Sequence, residues 1–571
     1  MECSQERAAA ETIAGRHESD GDGMTDDASW WQHAVIYQIY PWSFQDSNGD
    51  GIGDIPGIIS RLDYLNDGTP NSLGVDAIWL SPIYPSPMKD FGYDVADYCA
   101  IDPRFGTLYD FDRLVSEAHR RGIRVLMDLV LNHTSDQHPW FQESRSSRHS
   151  PKREWYLWAD PGKHRGRPSN WTAVFGGSAW EWDRATRQYY LHSFLKEQPD
   201  LNWSHPDAQK AMHDVVRFWL DRGVDGFRLD AINWIGKDIN WPDNPKRFSA
   251  LRSYLRQIHH YDRDQPFTHI VLRLLRTWTN EYPSAVMVGE ASSDTPGGPA
   301  AFYGKGTDEL HMVFDFRMLK SHWDPQRFRH LIQQWDRAVP SGGWPTQVLS
   351  NHDNSRHYSR YGRGVDAETA ARRARAAALL LLTLRGTPYL YYGEELGMRD
   401  VRLRYRQLRD PYTRRYWPFL RGRDPARTPM QWDASPHAGF TSGTPWLPVS
   451  PESERVNVAR EAEDRTSLLS LYRTLIWLRK TTPALALGAY RDVTDGPLSC
   501  LIYLRETGGE LSERLLIAIN FSSNSHTFSL PSLDAVGVIL LSTDPYSTGQ
   551  SFDPAHVDLG PDEGILVRLQ P

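Results

Sequence analysis

Three cysteines, Cys3, Cys99 and Cys500, are all that the 571 residues contain. They stand far apart, without metal-ligand or redox spacing. No disulfide framework is expected, and the usage suits a reducing, cytoplasmic compartment. No apolar run reaches the roughly 18 residues that a membrane helix needs. No basic stripe appears either. The 64 Lys and Arg are interspersed among 72 Asp and Glu for a net charge of −8, which argues against nucleic acid as a partner. Residues 1–29 lack the apolar core of a signal peptide; polar, acidic and rich in small residues, they are expected to be disordered, with Met24 a candidate start. A Ser/His/Asp order, a phosphate loop and a zinc motif are also missing.

Aromatic residues are abundant, at 12%, with 22 Trp and 26 Tyr. Such rings serve either a large core or the C–H faces of sugars, and composition does not choose between the two. The length implies two or three domains. Near-continuous apolar runs of strand length recur at Ala34–Tyr40, Ala77–Pro82, Arg124–Asn132, Gly226–Ala231, Ala285–Glu290, Met312–Phe316, Gln347–Asp353 and Pro388–Glu395. Parallel strands buried on both faces look like this. Helical segments lie between them; in Pro206–Arg222, Met212, Val215, Val216, Trp219 and Leu220 share a face, with Ser204 as N-cap and Gly223 as stop. The alternation predicts an α/β fold, a (β/α)8 TIM barrel over 30–132 and 203–487. Two regions break the rhythm: an insertion after strand three, 133–202, and an irregular stretch, Arg399–Pro448. Short strands at Ser499–Arg505, Leu515–Asn520, Thr527–Leu530 and Gly537–Ser542 predict a C-terminal all-β sandwich domain over 488–571.

Catalytic groups of a barrel enzyme sit at the C-terminal ends of its strands. Those ends carry Asp128, Asn132–His133, Arg228, Asp230, Glu290 and His352–Asp353. Four carboxylates at one barrel mouth are hard to explain by stability, because like charges in a low dielectric repel. They suit glycoside hydrolysis, in which one carboxylate attacks the anomeric carbon and a second, kept protonated, protonates the leaving oxygen.

From about Trp30 onward the chain resembles glycoside hydrolase family 13, in its α-glucosidase and oligo-1,6-glucosidase branch. The motifs are DLVLNH (Asp128–His133), GFRLDA (Gly226–Ala231), VGEA (Val288–Ala291), LSNHDNSR (Leu349–Arg356), QPDLN (Gln198–Asn202), GVDAIWLSP (Gly74–Pro82) and GTPYLYYGEELGM (Gly386–Met398). The resemblance implies that Asp230 is the nucleophile, Glu290 the acid/base, and Asp353 the carboxylate gripping the 2- and 3-hydroxyls. It further implies that Arg228 keeps Asp230 ionised, that His133 and His352 bond sugar hydroxyls, and that Tyr93 stacks on the glucose. Asp94 and Arg427 resemble the pair that closes the pocket, which implies exo action. Asp128 is expected to order the site.

Asp46–Asp54 looks like half an EF-hand loop, with oxygen ligands at alternate positions but Gly57 where an EF-hand needs Glu. In this branch the loop binds a cation, commonly structural Ca²⁺. That implies ligands from Asp46, Asn48, Asp50 and Asp54 and the Ile52 carbonyl; a metal-free Asx turn is the alternative. Catalytically dead transporter ectodomains also resemble this branch, but they lack the carboxylates kept here. The expected substrates are small α-glucosides, with hydrolysis, α-1,6 specificity, trehalose or sucrose isomerisation and transglucosylation separated only by the acceptor. Ala231, following the nucleophile, resembles the α-1,4-preferring members rather than the valine-bearing α-1,6 ones.

Overall fold

The computed structural model describes residues 29–162, 166–247, 253–292, 297–419, 422–509, 512–544 and 547–570; the expected disordered tail, except Ser29, lies outside them. Strands β1 (Ile36–Ile39), β2 (Ala77–Leu80) and β3 (Arg124–Val130) are parallel neighbours. The 133–202 insertion then forms its own antiparallel sheet of β4 (Trp158–Ala159), β5 (Trp180–Asp183) and β6 (Gln188–Leu191). The barrel resumes with β7 (Gly226–Asp230), β8 (Val286–Glu290), β9 (Met312–Phe314), β10 (Thr346–Val348) and β11 (Thr387–Tyr391). Parallel ladders run in the order β10-β11-β1-β2-β3-β7-β8-β9. The seam therefore falls between β9 and β10, where the Thr346 hydroxyl donates to the Val313 carbonyl at 2.9 Å.

Strand alternation divides the apolar residues into two layers. Inside the ring pack Ile36, Trp79, Leu126, Val288, Phe314 and Tyr389; the intervening residues, such as Tyr37, Ile78, Met127 and Phe227, face the surrounding helices. Double-sided burial is why these strands read as unbroken apolar runs. The helix expected over Pro206–Arg222 spans Pro206–Asp221, but His205 caps it rather than Ser204, because its ring nitrogen accepts from the Asp207 amide. Gly223 follows with φ +89°, the left-handed turn that ends the helix.

The C-terminal residues add β12 (Ala489–Val493), β13 (Cys500–Glu506), β14 (Arg514–Asn520), β15 (His526–Phe528), β16 (Gly537–Ser542), β17 (Ser551–Phe552), β18 (Val557–Leu559) and β19 (Gly564–Leu569). Six form an antiparallel sheet and β15 pairs with β18. Leu501 and Tyr503 of β13 join the main core, while Cys500, Ile502 and Leu504 pack in the sandwich with Val557 and Leu559. At the junction the buried Arg505 donates to the carbonyls of Thr383 and Gly488. Cys500 is free and buried. Among the described residues no helix is long and apolar enough to cross a membrane.

Candidate active site

Register brings the site together. Asp128 of β3 lies opposite Arg228 of β7, and Arg228 opposite Val288 of β8. Two residues further on, Asp230 and Glu290 end adjacent strands on the same inward face. Neighbouring strands lie about 4.8 Å apart, so these two carboxyl groups are held close by the backbone itself. Arg228, fully buried, links them: its Nη1 donates to Asp128 Oδ1 at 2.8 Å and Asp230 Oδ1 at 2.6 Å, and its Nη2 donates to Glu290 Oε2. Its guanidinium lies 5.1 Å from the Trp79 ring centre, which walls the cluster below.

One cation faces three carboxylates, so the cluster cannot be fully ionised at low cost. Burial pushes Asp230 up to about 7, with Arg228 opposing and Asp128 and Asp353 adding. Burial likewise pushes Glu290 up to about 7, against Arg228 and together with Asp230 and Asp353. Both carboxyls are thus pushed toward the protonated form, the condition under which one of two neighbouring carboxyls can serve as an acid. Asp353 behaves oppositely: although burial raises it, His352, Arg423 and Arg427 hold it well below the usual carboxylate range.

Asp353 arrives on the loop after β10. Its Oδ1 accepts from Arg427 Nη2 at 2.9 Å and Arg423 Nη1 at 3.4 Å. His352 lies nearly parallel to the rings of Tyr93 and Tyr40, with centroids 5.5 Å and 6.1 Å away. Gln38 donates to its Nδ1 at 2.7 Å, so Nε2 carries the proton and faces the Tyr93 hydroxyl at 2.7 Å. Tyr93 in turn donates to Asp128 at 3.0 Å. Burial lowers His352 to about 3 and His133 to about 4, so both rings are neutral at physiological pH.

Asp94 and Arg427 do not form the expected pair. Asp94 is occupied by the Ser86 hydroxyl and the amides of Lys89 and Asp90. Arg427 turns to the His352 carbonyl, at 2.7 Å, and to Asp353. The ion pair across this end of the site is Asp90–Arg423, at 2.6 Å, with Asp410 also 2.6 Å from Arg423. Each partner lies four residues before the expected one. MKDFGYD offers two aspartates and GRDPAR two arginines, and the motifs alone do not say which of them meet. Arg423 also lies over Phe175 of the insertion, at 5.4 Å, and Phe175 packs on Tyr412 at 5.5 Å. The Tyr416 hydroxyl donates to the Phe175 carbonyl, and a Cβ on Gly176 would come within 2.4 Å of that hydroxyl. The insertion and the helix Pro411–Tyr416 therefore meet closely beside the site. Ala231 is buried with φ 48° and ψ 42°, a left-handed conformation that β-branched residues rarely adopt.

In the Asp46–Asp54 loop, Asp46 accepts from the amides of Asn48, Gly49 and Gly51, Asn48 from that of Asp50, and Asp50 from that of Ile52. Asp54 caps the following helix through the Gly57 amide. Its donors are all oxygen, the set that suits a hard cation. Among the described residues, no group of three or more His, Cys, Asp or Glu side chains is gathered as metal ligands.

The family model for the α-amylase catalytic domain matches residues 38–488. A probable α-glucosidase of Rhizobium meliloti is 46% identical over 90% of this chain and 93% of its own length. An oligo-1,6-glucosidase of Parageobacillus thermoglucosidasius is 41% identical over 95% and 99%. The crystal structure of an α-glucosyl transfer enzyme superposes with a TM-score of 0.87 at 42% identity, covering 95% of this chain and 99% of that one.

Arg228→Met removes the cation that favours the ionised carboxylates while leaving their burial intact. The titration of the Asp230–Glu290 pair should move upward by at least about one pH unit, which cuts the ratio of ionised to protonated carboxyl at neutral pH roughly tenfold. Infrared titration of the carboxyl bands checks this, and an unmoved midpoint would contradict the assigned role of Arg228.

Proposed function

The chain belongs to glycoside hydrolase family 13, the α-amylase family, and on that premise we propose an exo-acting, retaining α-glucosidase that releases α-glucose from the non-reducing end of short α-1,4-linked oligosaccharides. The observation that carries this reading is the Asp230–Glu290 pair on one buried guanidinium, with both carboxyls raised and Asp353 depressed. Asp230 attacks the anomeric carbon while the glycosidic C–O bond breaks and Glu290 passes its proton to the leaving oxygen. Glu290, now a carboxylate, takes a proton from water, whose oxygen attacks the same carbon and frees Asp230. Asp353, ionised, grips sugar hydroxyls, and His133, His352 and Tyr93 bind the same ring. Asp90–Arg423 supports exo action, because a salt bridge across the end of the pocket leaves no path for a longer chain. Transfer to a sugar instead of water is the second reading, supported by the likeness to an α-glucosyl transfer enzyme.

Two displacements retain configuration, so NMR of freshly hydrolysed maltose should show α-glucose first; initial β-glucose would exclude the double displacement. Asp230→Asn and Glu290→Gln should each reduce kcat by several orders of magnitude with the melting temperature preserved.

Linkage choice is assigned to Ala231. Maltose should be cleaved faster than isomaltose. Ala231→Val should shift the kcat/KM ratio toward isomaltose by ~10–200-fold, the effect of one or two methyl groups beside the leaving sugar. The left-handed backbone adds a stability cost to the valine that a melting curve will show. A wild type that prefers isomaltose would refute the assignment.

The loop after β1 is proposed to hold structural Ca²⁺ through Asp46, Asn48, Asp50, Asp54 and the Ile52 carbonyl. Exhaustive chelation should lower the melting temperature, and elemental analysis should find about one ion per chain. No metal and an unchanged melting curve would rule it out.

A further inference from the structure

The buried side chain of Lys237, on the loop after β7, presents its ammonium to Asn132 Oδ1 at 2.6 Å and to Asp200 Oδ2 at 2.8 Å. Asn132 ends the β3 segment, and Asp200 closes the insertion. An ammonium can only donate and a carboxylate only accept, so the two charges fix the amide between them. The Asn132 oxygen takes Lys237, and one hydrogen of its Nδ2 goes to Asp200 Oδ1 at 2.9 Å. Turning the amide end for end would set its oxygen against the carboxylate and its NH2 against the ammonium.

The second Nδ2 hydrogen faces His133 Nδ1 at 3.1 Å. Nδ1 must then accept, and a neutral imidazole carries its proton on the other nitrogen. Burial keeps His133 neutral. Its Nε2–H reaches the Tyr93 carbonyl at 3.1 Å. Gln198 Nε2, 3.0 Å away, is a second donor, because Gln198 Oε1 accepts from the Leu195 amide and its Nε2 donates to Asp90 Oδ2. The His133 ring thus sits between the Asn132 amide on one side and the Tyr93 carbonyl and Gln198 amide on the other, behind the Asp90–Arg423 pair.

We propose that Lys237 is a positioning residue that, through Asn132, fixes the Nε2–H tautomer of His133, the histidine that the proposed function sets beside the bound glucosyl unit. This rests on the α-glucosidase reading above. Lys237 touches no reacting atom; it selects the tautomer of the residue that touches substrate.

Labelling wild-type protein with 15N-histidine reads the tautomer directly, with His133→Ala identifying the resonance. A protonated Nε2 and a bare Nδ1 are expected; the reverse would overturn the proposal whether or not any Lys237 variant folds. Kinetics on 4-nitrophenyl α-glucoside then test the route. Lys237→Met should lower kcat/KM by roughly tenfold or more, the effect of leaving the buried Asn132 oxygen without its charged donor. Lys237→Arg, also a donor-only cation, should retain most of the activity. In a His133→Ala background, Lys237→Met should add less than about twofold. Equal losses in both backgrounds would make Lys237 a general prop for the insertion and overturn the proposal. A wild type without turnover would instead remove the α-glucosidase reading and leave the tautomer result standing.

Discussion

A guanidinium sealed inside a barrel has few ways to be satisfied, and the Arg228 guanidinium settles the arrangement around it. Its two terminal nitrogens take carboxylates from three consecutive strands of the ring, β3, β7 and β8. Removing the single cation from such a cluster costs about 3–5 kcal/mol, because carboxylates are left buried and unpaired. The cluster therefore constrains the strand register as firmly as the apolar layers do. The same constraint produces the chemistry: one positive charge cannot hold three negative ones, so a proton is retained at the strand ends where a sugar oxygen needs it.

The walls of the site come from elsewhere. The barrel contributes Asp230 and Glu290, the proposed nucleophile and acid, from strand ends, whereas the Asp90–Arg423 ion pair draws Asp90 from the loop after β2 and Arg423 from the segment after β11. The insertion contributes Phe175 against Arg423 and Gln198 against Asp90. The carboxylate cluster is thus held by hydrogen-bonded ladders, and the Asp90–Arg423 pair by contacts between loops that share no ladder.

That division explains what was legible in the sequence. All eight strands could be placed, because burial on both faces leaves an unbroken apolar run, and Asp128, Arg228, Asp230 and Glu290 followed from their positions on those runs. The Asp90–Arg423 ion pair did not follow. Asp90 and Asp94, like Arg423 and Arg427, sit four apart in irregular segments, where no periodicity says which side chain faces the site. In the C-terminal sandwich the expected strands at 499–505, 515–520, 527–530 and 537–542 lie close to observed ones, but β12, β17, β18 and β19 went unread. Three of these are short or alternate with polar residues, so little apolar signal marks them. Lys237 was invisible for a different reason: a lone lysine after a strand reads as a solvated charge until Asn132 and Asp200 are seen beside it.

The seam between β9 and β10 bears on the third carboxylate. Asp353 leaves the ring from the strand next to that seam, and its oxygens are gripped by two arginines from residues 422–427, far along the chain. Its placement is thus delegated to an external brace rather than to the ladder that aligns the other two. Substitutions in the brace can retune how the sugar ring is held while the nucleophile and the acid stay in register. A scaffold organised this way lets acceptor and substrate preferences diverge among descendants that share one unchanged bond-breaking centre.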